Sequence, residues 1–442
     1  MNKKKTVLVV DGGGRGAALV HKYAQSSHVG RILAVPGNDL MKINIDKPVQ
    51  IYHQFKTTSV KEILEICQRE KVDLVDVAQD NAVEAGLVDV LLKNGVVAVG
   101  PLRDAGEIEW SKNWARELLK KAKVSQPDYQ TFTDLKKAQD YIKNQNEGMW
   151  FIKASGLAEG KGALSARSRT EAIEKIKELK KFGPAAEKFL IEQWLVGEEF
   201  STFVISDGNS YQFIGDAQDH KRVDDFDQRE NTGGMGCSSP PLVLTQDIKK
   251  QINEVVGKTL GELRRIGRPY QGILYLGGMI VPGKTRAKVY VIEFNARWGD
   301  PEAQALVPGI KNDLFEVSLA VFKGRLDEIK IKRDNLSRVV VAGAARGYPS
   351  NYQEVKGKQI YGLDEAQKVP GVCLYGAGVK KEGGKYFANG GRLFYLVGEG
   401  KTVVEARQKV YQAMSLVSIE GNNLHYRTDI GWRDVQRLRQ KI

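Results

Sequence analysis

The chain has 442 residues, 42% hydrophobic and 27% charged, with 67 Lys and Arg against 54 Asp and Glu for a formal net charge of +13. Such a length exceeds one ordinary core and predicts two to four domains of globular composition, and no run of about 18 apolar residues is present to cross a membrane. The basic residues lie in mixed runs such as 175–181, without interleaved aromatics, which argues against a nucleic-acid partner and for anionic small substrates or a lysine-rich solvated surface.

The start, Met1-Asn-Lys-Lys-Lys-Thr6, has the charge of a signal peptide, but the apolar run Val7–Val10 stops at Asp11-Gly-Gly-Gly14, too short for a secretory core. Cys67, Cys237 and Cys373 are scattered and odd in number, as expected of reduced thiols in the cytoplasm. Thr6–Val10 reads as a strand, followed by Gly12, Gly14 and Ala17 in G-x-G-x-x-A spacing and a helix to about Ser27. That context lets backbone approach a phosphate at the helix N-terminus. A dinucleotide site, and with it an oxidoreductase, would also want an acid about 20 residues on; the second strand, Arg31–Val35, ends in Pro36-Gly-Asn38 and offers only Asp39, too late. A phosphate cradle and a structural turn both remain open here. Strands at Val72–Val77 and Val96–Gly100, with helices at Ser59–Glu70 and Asn81–Lys93, predict a parallel doubly wound sheet over the first 100 residues or so. Pro101 closes that unit, and Ile108–Lys121 reads as one helix.

A smaller α+β segment runs from Val124 to Leu190, with a strand at Met149–Lys153 and the loop Lys153-Ala-Ser-Gly-Leu-Ala-Glu-Gly-Lys-Gly162. Gly156, Gly160 and Gly162 free the amides to wrap a triphosphate, and Lys153 and Lys161 supply charge; a surface hairpin is the alternative. The loop is not a Walker A motif, because Gly162 follows Lys161. Next, Phe189–Glu199 is an apolar strand carrying Glu192 and ending in Gly197-Glu-Glu199, which sets carboxylates and backbone where adenine and ribose would lie. In Tyr290–Glu302 an apolar approach delivers Glu293 and Asn295 two apart, hence on one strand face. A carboxylate and an amide oxygen are hard ligands suited to Mg²⁺ that shares phosphate oxygens, and Arg297 adds a planar anion-binding fork. Alone, the E-x-N pair reads equally as a solvated strand end. The tail has strands at Arg338–Ala344, Val372–Tyr375 and Leu393–Val397 and a helix at Val403–Ser418, with no internal repeat.

In this order the parts resemble the ATP-grasp ligases and, within them, the phosphoribosylamine–glycine ligase family, over nearly the whole chain. The most specific motifs are Ala217-Gln-Asp-His-Lys-Arg222, Asn231-Thr-Gly-Gly-Met-Gly236 and Glu293-Phe-Asn-Ala-Arg-Trp-Gly-Asp-Pro-Glu302, supported by Ser111-Lys112, Asn389-Gly-Gly-Arg392 and Arg427-Thr-Asp-Ile-Gly431. The resemblance implies an α/β multidomain chain: a Rossmann-like substrate-binding domain (1–102), an ATP-grasp core (103–122 plus 191–328), a small lid domain (123–190) and a C-terminal α+β domain (329–442). It further implies condensation of glycine with 5-phosphoribosylamine through glycyl phosphate, giving glycinamide ribonucleotide, ADP and phosphate in de novo purine biosynthesis. ATP is then the cosubstrate and Mg²⁺ or Mn²⁺ the metal, in a cytoplasmic monomer with no nucleic-acid or membrane partner.

By the same resemblance, Glu293 and Asn295 hold the metal and Lys112 and Lys153 contact phosphates. Glu192, Leu195 and Glu199 hold adenine and ribose, and Gly156, Gly160, Lys161 and Gly162 form a closing lid. Arg297 steadies the glycine carboxylate or the acyl phosphate, with Asp219 and Lys221 beside the reacting groups. His220, Arg222, Asn231 and Asp300, with Gly14, Arg15 and Asp80, line the substrate side. Chemistry of this type is positioning and charge neutralisation, and needs no Ser/His/Asp or Cys/His set.

Four departures from the family pattern stand out. The chain has Gly14-Arg-Gly-Ala-Ala18 where Gly-Arg-Glu-His-Ala is usual, Ala78-Gln-Asp80 for Gly-Pro-Glu, Asp39-Leu40 for Ala-Gly, and Ser155 for Asp. All but Ser155 fall on the N-terminal domain, which in this family helps hold the phosphoribosylamine. Two alternatives therefore stay open: a ligase acting on a different amine, and an inactive nucleotide-binding protein, which would have no use for the Glu293–Asn295 pair.

Overall fold

The computed structural model describes residues 4–156 and 162–440. Strand β1 (Lys5–Asp11) is the centre of a five-stranded parallel sheet with β2 (Val29–Pro36), β3 (Val49–Ile51), β4 (Leu74–Val77) and β5 (Ala98–Val99), in the order β3–β2–β1–β4–β5. Period-two alternation explains its two covered faces. Val7 and Val9 join an apolar cluster with Ala17, Leu19 and Val20 of α1 (Gly14–Ala24). Leu8 and Val10 join another with Ile63 and Ile66 of α2 (Val60–Glu70). Each such side chain, once buried, is worth about 1.5–3 kcal/mol.

Two helices expected to be continuous are broken. The span 81–93 divides into α3 (Asp80–Glu84) and α4 (Leu87–Lys93) at Gly86, whose φ of 75° lies in the left-handed region that glycine adopts without cost. The span 108–121 falls on α5 (Arg103–Trp110) and α6 (Lys112–Lys121), divided at Ser111. The second break has a distant cause. Ser155, far along the chain, accepts the α6 N-terminal amides, Lys112 N on its carbonyl at 3.1 Å and Asn113 N on its hydroxyl at 3.1 Å. The hydroxyl standing where the family usually has Asp thus serves as a cap.

The small antiparallel sheet has the order β6–β9–β7–β8, from β6 (Tyr129–Phe132), β7 (Trp150–Ala154), β8 (Ala163–Ala166) and β9 (Phe189–Gln193). Trp150, Ile152 and Ala154 cluster with Ala138 and Ile142 of α7 (Leu135–Lys143) and with Ala172 and Ile176 of α8 (Arg169–Glu178). Alternation then turns Phe151 and Lys153 to the uncovered face.

The largest sheet collects β10 (Glu198–Asp207), β11 (Tyr211–Asp219), β14 (Gly236–Ser239), β15 (Gln271–Val281), β16 (Lys288–Asn295) and β17 (Ser337–Ala345), while β12 (Arg222–Asp224) and β13 (Gln228–Asn231) form a separate hairpin. Its order is β16–β15–β10–β11–β14–β17, continued by the strands Arg392–Gly400 and Val372–Gly376. Pairing of Gly236–Ser239 with Arg338–Val341 carries one sheet from the middle of the chain into its tail. No described helix is long and apolar enough to cross a membrane.

Candidate active site

A cavity of about 650 Å³ opens between the bare face of the small sheet and the β10–β15–β16 end of the large one. Its walls include Lys112, Lys153, Glu192, Leu195, Glu199 and Gly162 on one side. Asp219, Lys221, Arg222, Asn231, Glu293, Asn295, Arg297 and Asp300 line the other. Of residues 4–102, only Asp80, the first residue of α3, reaches it.

Glu293 and Asn295 lie on β16 opposite Gly277 and Tyr275, beside a register shift at Gly277/Gly278. A Cβ on Gly277 would stand 2.9 Å from Glu293 Cγ, so the glycine makes room for that side chain. Lys221 Nζ sits 3.2 Å from Glu293 Oε1 and 3.2 Å from Glu199 Oε2. Its ammonium holds the Glu293 carboxyl down at about 2, against the effect of burial. The two carboxylates in turn outweigh burial and raise Lys221 well above its ordinary value. Arg297 donates from Nη2 to Asn295 Oδ1 at 3.0 Å and pairs with Glu109 Oε1 at 3.0 Å. Both oxygen donors of the expected metal pair therefore face a cation supplied by the chain itself. An ionised carboxylate and an amide oxygen that already accept positive partners in a cavity fit a hard divalent cation shared with phosphates.

Lys153 is held by a buried network. Glu192, 1% exposed, receives Arg116 through both oxygens, Nε to Oε1 at 2.7 Å and Nη2 to Oε2 at 3.0 Å, and Lys153 Nζ at 2.7 Å. Burial alone would raise this carboxyl, but Arg116 and Lys153 draw it down to about 2. Arg116 also donates to the carbonyls of Val291 and Ile292 at 3.0 and 2.7 Å, tying α6, β9 and β16 together. Glu192 is thus a support for Lys153, while Leu195 and the backbone around it face the cavity. Lys112 is deprived of solvent, which lowers its pKa.

Three residues expected on the substrate side are placed away from the cavity. His220, 1% exposed, accepts Gly431 N on Nε2 at 3.1 Å, so its proton resides on Nδ1, 3.9 Å from Asp227. Burial depresses its pKa to about 3, and it stays neutral. Arg15, 4% exposed, is spent on Asp11 at 2.6–2.7 Å and on the Trp298 carbonyl at 2.8 Å. Gly14 packs against the C-terminal region, where a Cβ would stand 2.3 Å from the Tyr395 ring. The amides opening α1 are not free either. Asp11 Oδ1 accepts Gly13 N at 2.5 Å and Gly16 N at 3.2 Å, so an internal carboxylate fills the helix N-terminus that the glycine spacing offers to a phosphate. Gly156 stands beside the cavity, its amide donating to the Ala185 carbonyl at 2.9 Å. Gly160 and Lys161 lie outside the described residues.

Several participants escape a reading of the sequence. Arg116 and Glu109 occupy amphipathic helices, where a charged residue reads as solvent-facing. Glu109 is instead buried, and its carboxyl is pushed up to about 7 despite Arg297. Glu302, 2% exposed at the start of the helix Glu302–Leu306, lines the cavity with Tyr275. Burial, with Glu302 nearby, raises Asp219 well above the usual carboxylate range. Arg433, from the last helix, also reaches the wall.

Three family models match in succession: the phosphoribosylglycinamide synthetase N domain over residues 5–109, its ATP-grasp (A) domain over 110–303 and its C domain over 338–433. The chain is 34% identical to the phosphoribosylamine–glycine ligase of Chlorobaculum tepidum, covering 96% of this chain and 99% of that one. It is 35% identical to the trifunctional purine biosynthetic protein adenosine-3 of Bos taurus and 32% identical to the bifunctional purine biosynthetic protein purD of Dictyostelium discoideum, of which it spans 42% and 56% respectively. The crystal structure of the phosphoribosylamine–glycine ligase of Thermotoga maritima superimposes with a TM-score of 0.80 at 29% identity, covering 96% of this chain and all of that one. The biotin carboxylase domain of a Hydrogenobacter thermophilus 2-oxoglutarate carboxylase, solved with MgADP and bicarbonate, shares the fold at a TM-score of 0.72 and 16% identity. The cavity wall of Lys112, Lys153, Glu293, Asn295 and Arg297 and these full-length matches agree: the chain belongs to the phosphoribosylglycinamide synthetase (phosphoribosylamine–glycine ligase) family of ATP-grasp ligases.

Proposed function

We propose that this chain condenses glycine with 5-phosphoribosylamine at the expense of ATP, giving glycinamide ribonucleotide, ADP and phosphate in de novo purine biosynthesis. The supporting observation is the convergence on one cavity of Lys112, Lys153, Lys221 and Arg297 around Glu293 and Asn295. Such a set neutralises a triphosphate and a transferring phosphoryl group, which is most of what this chemistry asks of a protein. Mg²⁺ or Mn²⁺ bound by Glu293 and Asn295 would screen the nucleotide phosphates and set their geometry. Lys112 and Lys153 would contact the same phosphates from the small-sheet side, and Leu195 and Glu199 would meet the adenine and ribose. Arg297, fixed by Glu109, would clamp the glycine carboxylate.

In the first step a glycine carboxylate oxygen bonds to the γ-phosphorus and the bond to ADP breaks. In the second the amine nitrogen bonds to the acyl carbon, phosphate leaves, and the nitrogen gives up a proton. The leaving phosphate would carry that proton away, with Asp219 on the cavity wall beside the reacting groups. We read the chain as a cytoplasmic monomer with the four domains drawn from its resemblance. A second reading, a ligase for a different amine, is favoured by one observation, the Asp11 carboxylate that occupies the α1 amides.

The test is a coupled ADP-release assay with glycine and freshly made phosphoribosylamine, each omitted in turn. Turnover is expected only with both present, and no turnover with that pair, but turnover with another amine, would overturn the primary reading. Glu293→Ala should abolish turnover and leave the fold intact; a near-normal rate would refute its role as metal ligand.

A further inference from the structure

We propose that the phosphate of the amine substrate is held at the C-terminal lip of the cavity by Arg433 together with Arg222, and not by the glycine loop before α1. This rests on the ligase reading and assigns one part of its substrate to named residues.

The glycine loop is closed to anions by its own chain. Asp11 takes the Gly13 and Gly16 amides and Arg15, and none of these residues lines the cavity. At the neighbouring end of the cavity, which carries Asp80, Asp300 and Glu302, the guanidiniums are already engaged, Arg392 with Asp300 at 3.5 Å and Arg297 with Glu109 at 3.0 Å, so this end suits an amine and hydroxyl groups.

Four arginines line the cavity among the described residues. Arg116 is spent on Glu192 and two carbonyls, and Arg297 on Glu109, Asn295 and the Trp298 carbonyl. Arg222 and Arg433 are committed far less. Arg433 gives one nitrogen to Asp227 Oδ2 at 2.5 Å, and Arg222 Nη1 donates to the Arg229 carbonyl at 2.5 Å. A guanidinium has five donors in a planar fork, so each retains most of its capacity.

The two are joined by one network. Arg427, fully buried, donates to the Arg222 carbonyl at 3.1 Å and to Asp227 Oδ1 at 2.9 Å, while the other oxygen of Asp227 holds Arg433. The turn that presents Asp227 is strained: Phe226, Asp227 and Arg229 have φ of 55°, 57° and 60°, conformations that cost non-glycine residues energy. Such strain persists only where surrounding contacts fix it, and here they fix the acid that orients Arg433. A phosphate between two forked guanidiniums receives charge-assisted hydrogen bonds from both.

The experiment measures ribose 5-phosphate by calorimetry, with ADP present, on the wild type and on Arg433→Gln, Arg433→Lys and Arg222→Gln. Steady-state kinetics with phosphoribosylamine accompany it. Each Gln variant should weaken ribose 5-phosphate and raise the KM for phosphoribosylamine about tenfold or more, the change in affinity expected for loss of a strong ionic contact, with the KM values of ATP and glycine unchanged. Arg433→Lys should recover part of the affinity, which a merely misfolded lip would not allow. Unaltered ribose 5-phosphate affinity in both Gln variants, or equal weakening of ATP, would overturn the assignment. Wild-type protein that binds ribose 5-phosphate through these arginines but releases no ADP with phosphoribosylamine and glycine would refute the ligase reading and leave the phosphate site standing.

Discussion

Glu192 lies in a segment whose sequence suggests contact with adenine and ribose, yet its oxygens are taken by Arg116 and Lys153. The difference is physical: strand alternation gives the face of a residue but not the partner that a distant helix brings to it. Glu293 and Asn295 were legible because their relation is local, two positions apart on one strand, and Arg297 continues it. Arg116 was illegible because one charged residue in Lys112–Lys121 looks solvated until β9 is placed above it. A neutral amide cannot hold both cations, so Glu192→Gln should leave Arg116 and Lys153 undercompensated in a buried site. Breaking a buried pair from one side costs about 3–5 kcal/mol. Urea unfolding should show a loss of that order, and the KM for ATP should rise with the displacement of Lys153. A destabilised variant with unchanged KM for ATP would restrict Glu192 to a structural role.

The strands and helices divide in the same way. Four of the five strands of the parallel sheet and the tail strands Ser337–Ala345, Val372–Gly376 and Arg392–Gly400 were readable from apolar runs and their spacing, since those patterns are set by local burial. β3 and the second tail sheet of Gln359–Tyr361, Val379–Glu382, Lys385–Ala388 and Ser418–Ile419 were missed, being short, with few of their residues buried. The breaks at Gly86 and Ser111 were missed because the apolar spacing continues across them, and at Ser111 the cause is Ser155. The meeting of β14 with β17 is likewise a long-range pairing with no mark in either segment. At Gly343, in β17, the strand passes so near Phe394 that a Cβ would stand 2.2–2.6 Å from its ring. Phe394 is fully buried in the C-terminal cluster, so the ring has little freedom to withdraw. Gly343→Ala should destabilise by about 1–3 kcal/mol, the range for overpacking a filled core. Thermal unfolding read by circular dichroism measures this; no change in midpoint would mean that the sheet yields at this crossing.

At the scale of the whole molecule, the N-terminal sheet is seated on the tail of the chain and the cavity lies beside that seam. Asn38 Nδ2 donates to the Gly376 carbonyl at 2.9 Å, and His21 meets Tyr375 edge-on with ring centroids 5.3 Å apart. Gly14 brings α1 against Tyr395, and its missing Cβ would also stand 2.5 Å from Gln304 Nε2. That same amide nitrogen donates to Asp300 Oδ1 at 2.9 Å, and Asp300 lines the cavity. Local and global considerations therefore give opposite signs for Gly14→Ala. Helix propensity favours alanine by up to about 1 kcal/mol, since glycine is a poor helix former. The seam opposes it, because the methyl group must push Tyr395 and Gln304 out of packed positions at about 1–3 kcal/mol. Tyr395 is fully buried, so the second effect should win, and the unfolding midpoint should fall. The displaced Gln304 should shift Asp300, raising the KM for the amine substrate, while ATP, which we place against Lys112, Lys153 and β16, should be held as before. A variant more stable than the wild type, or one in which both KM values move together, would show that α1 does not depend on this contact to position the amine end of the cavity.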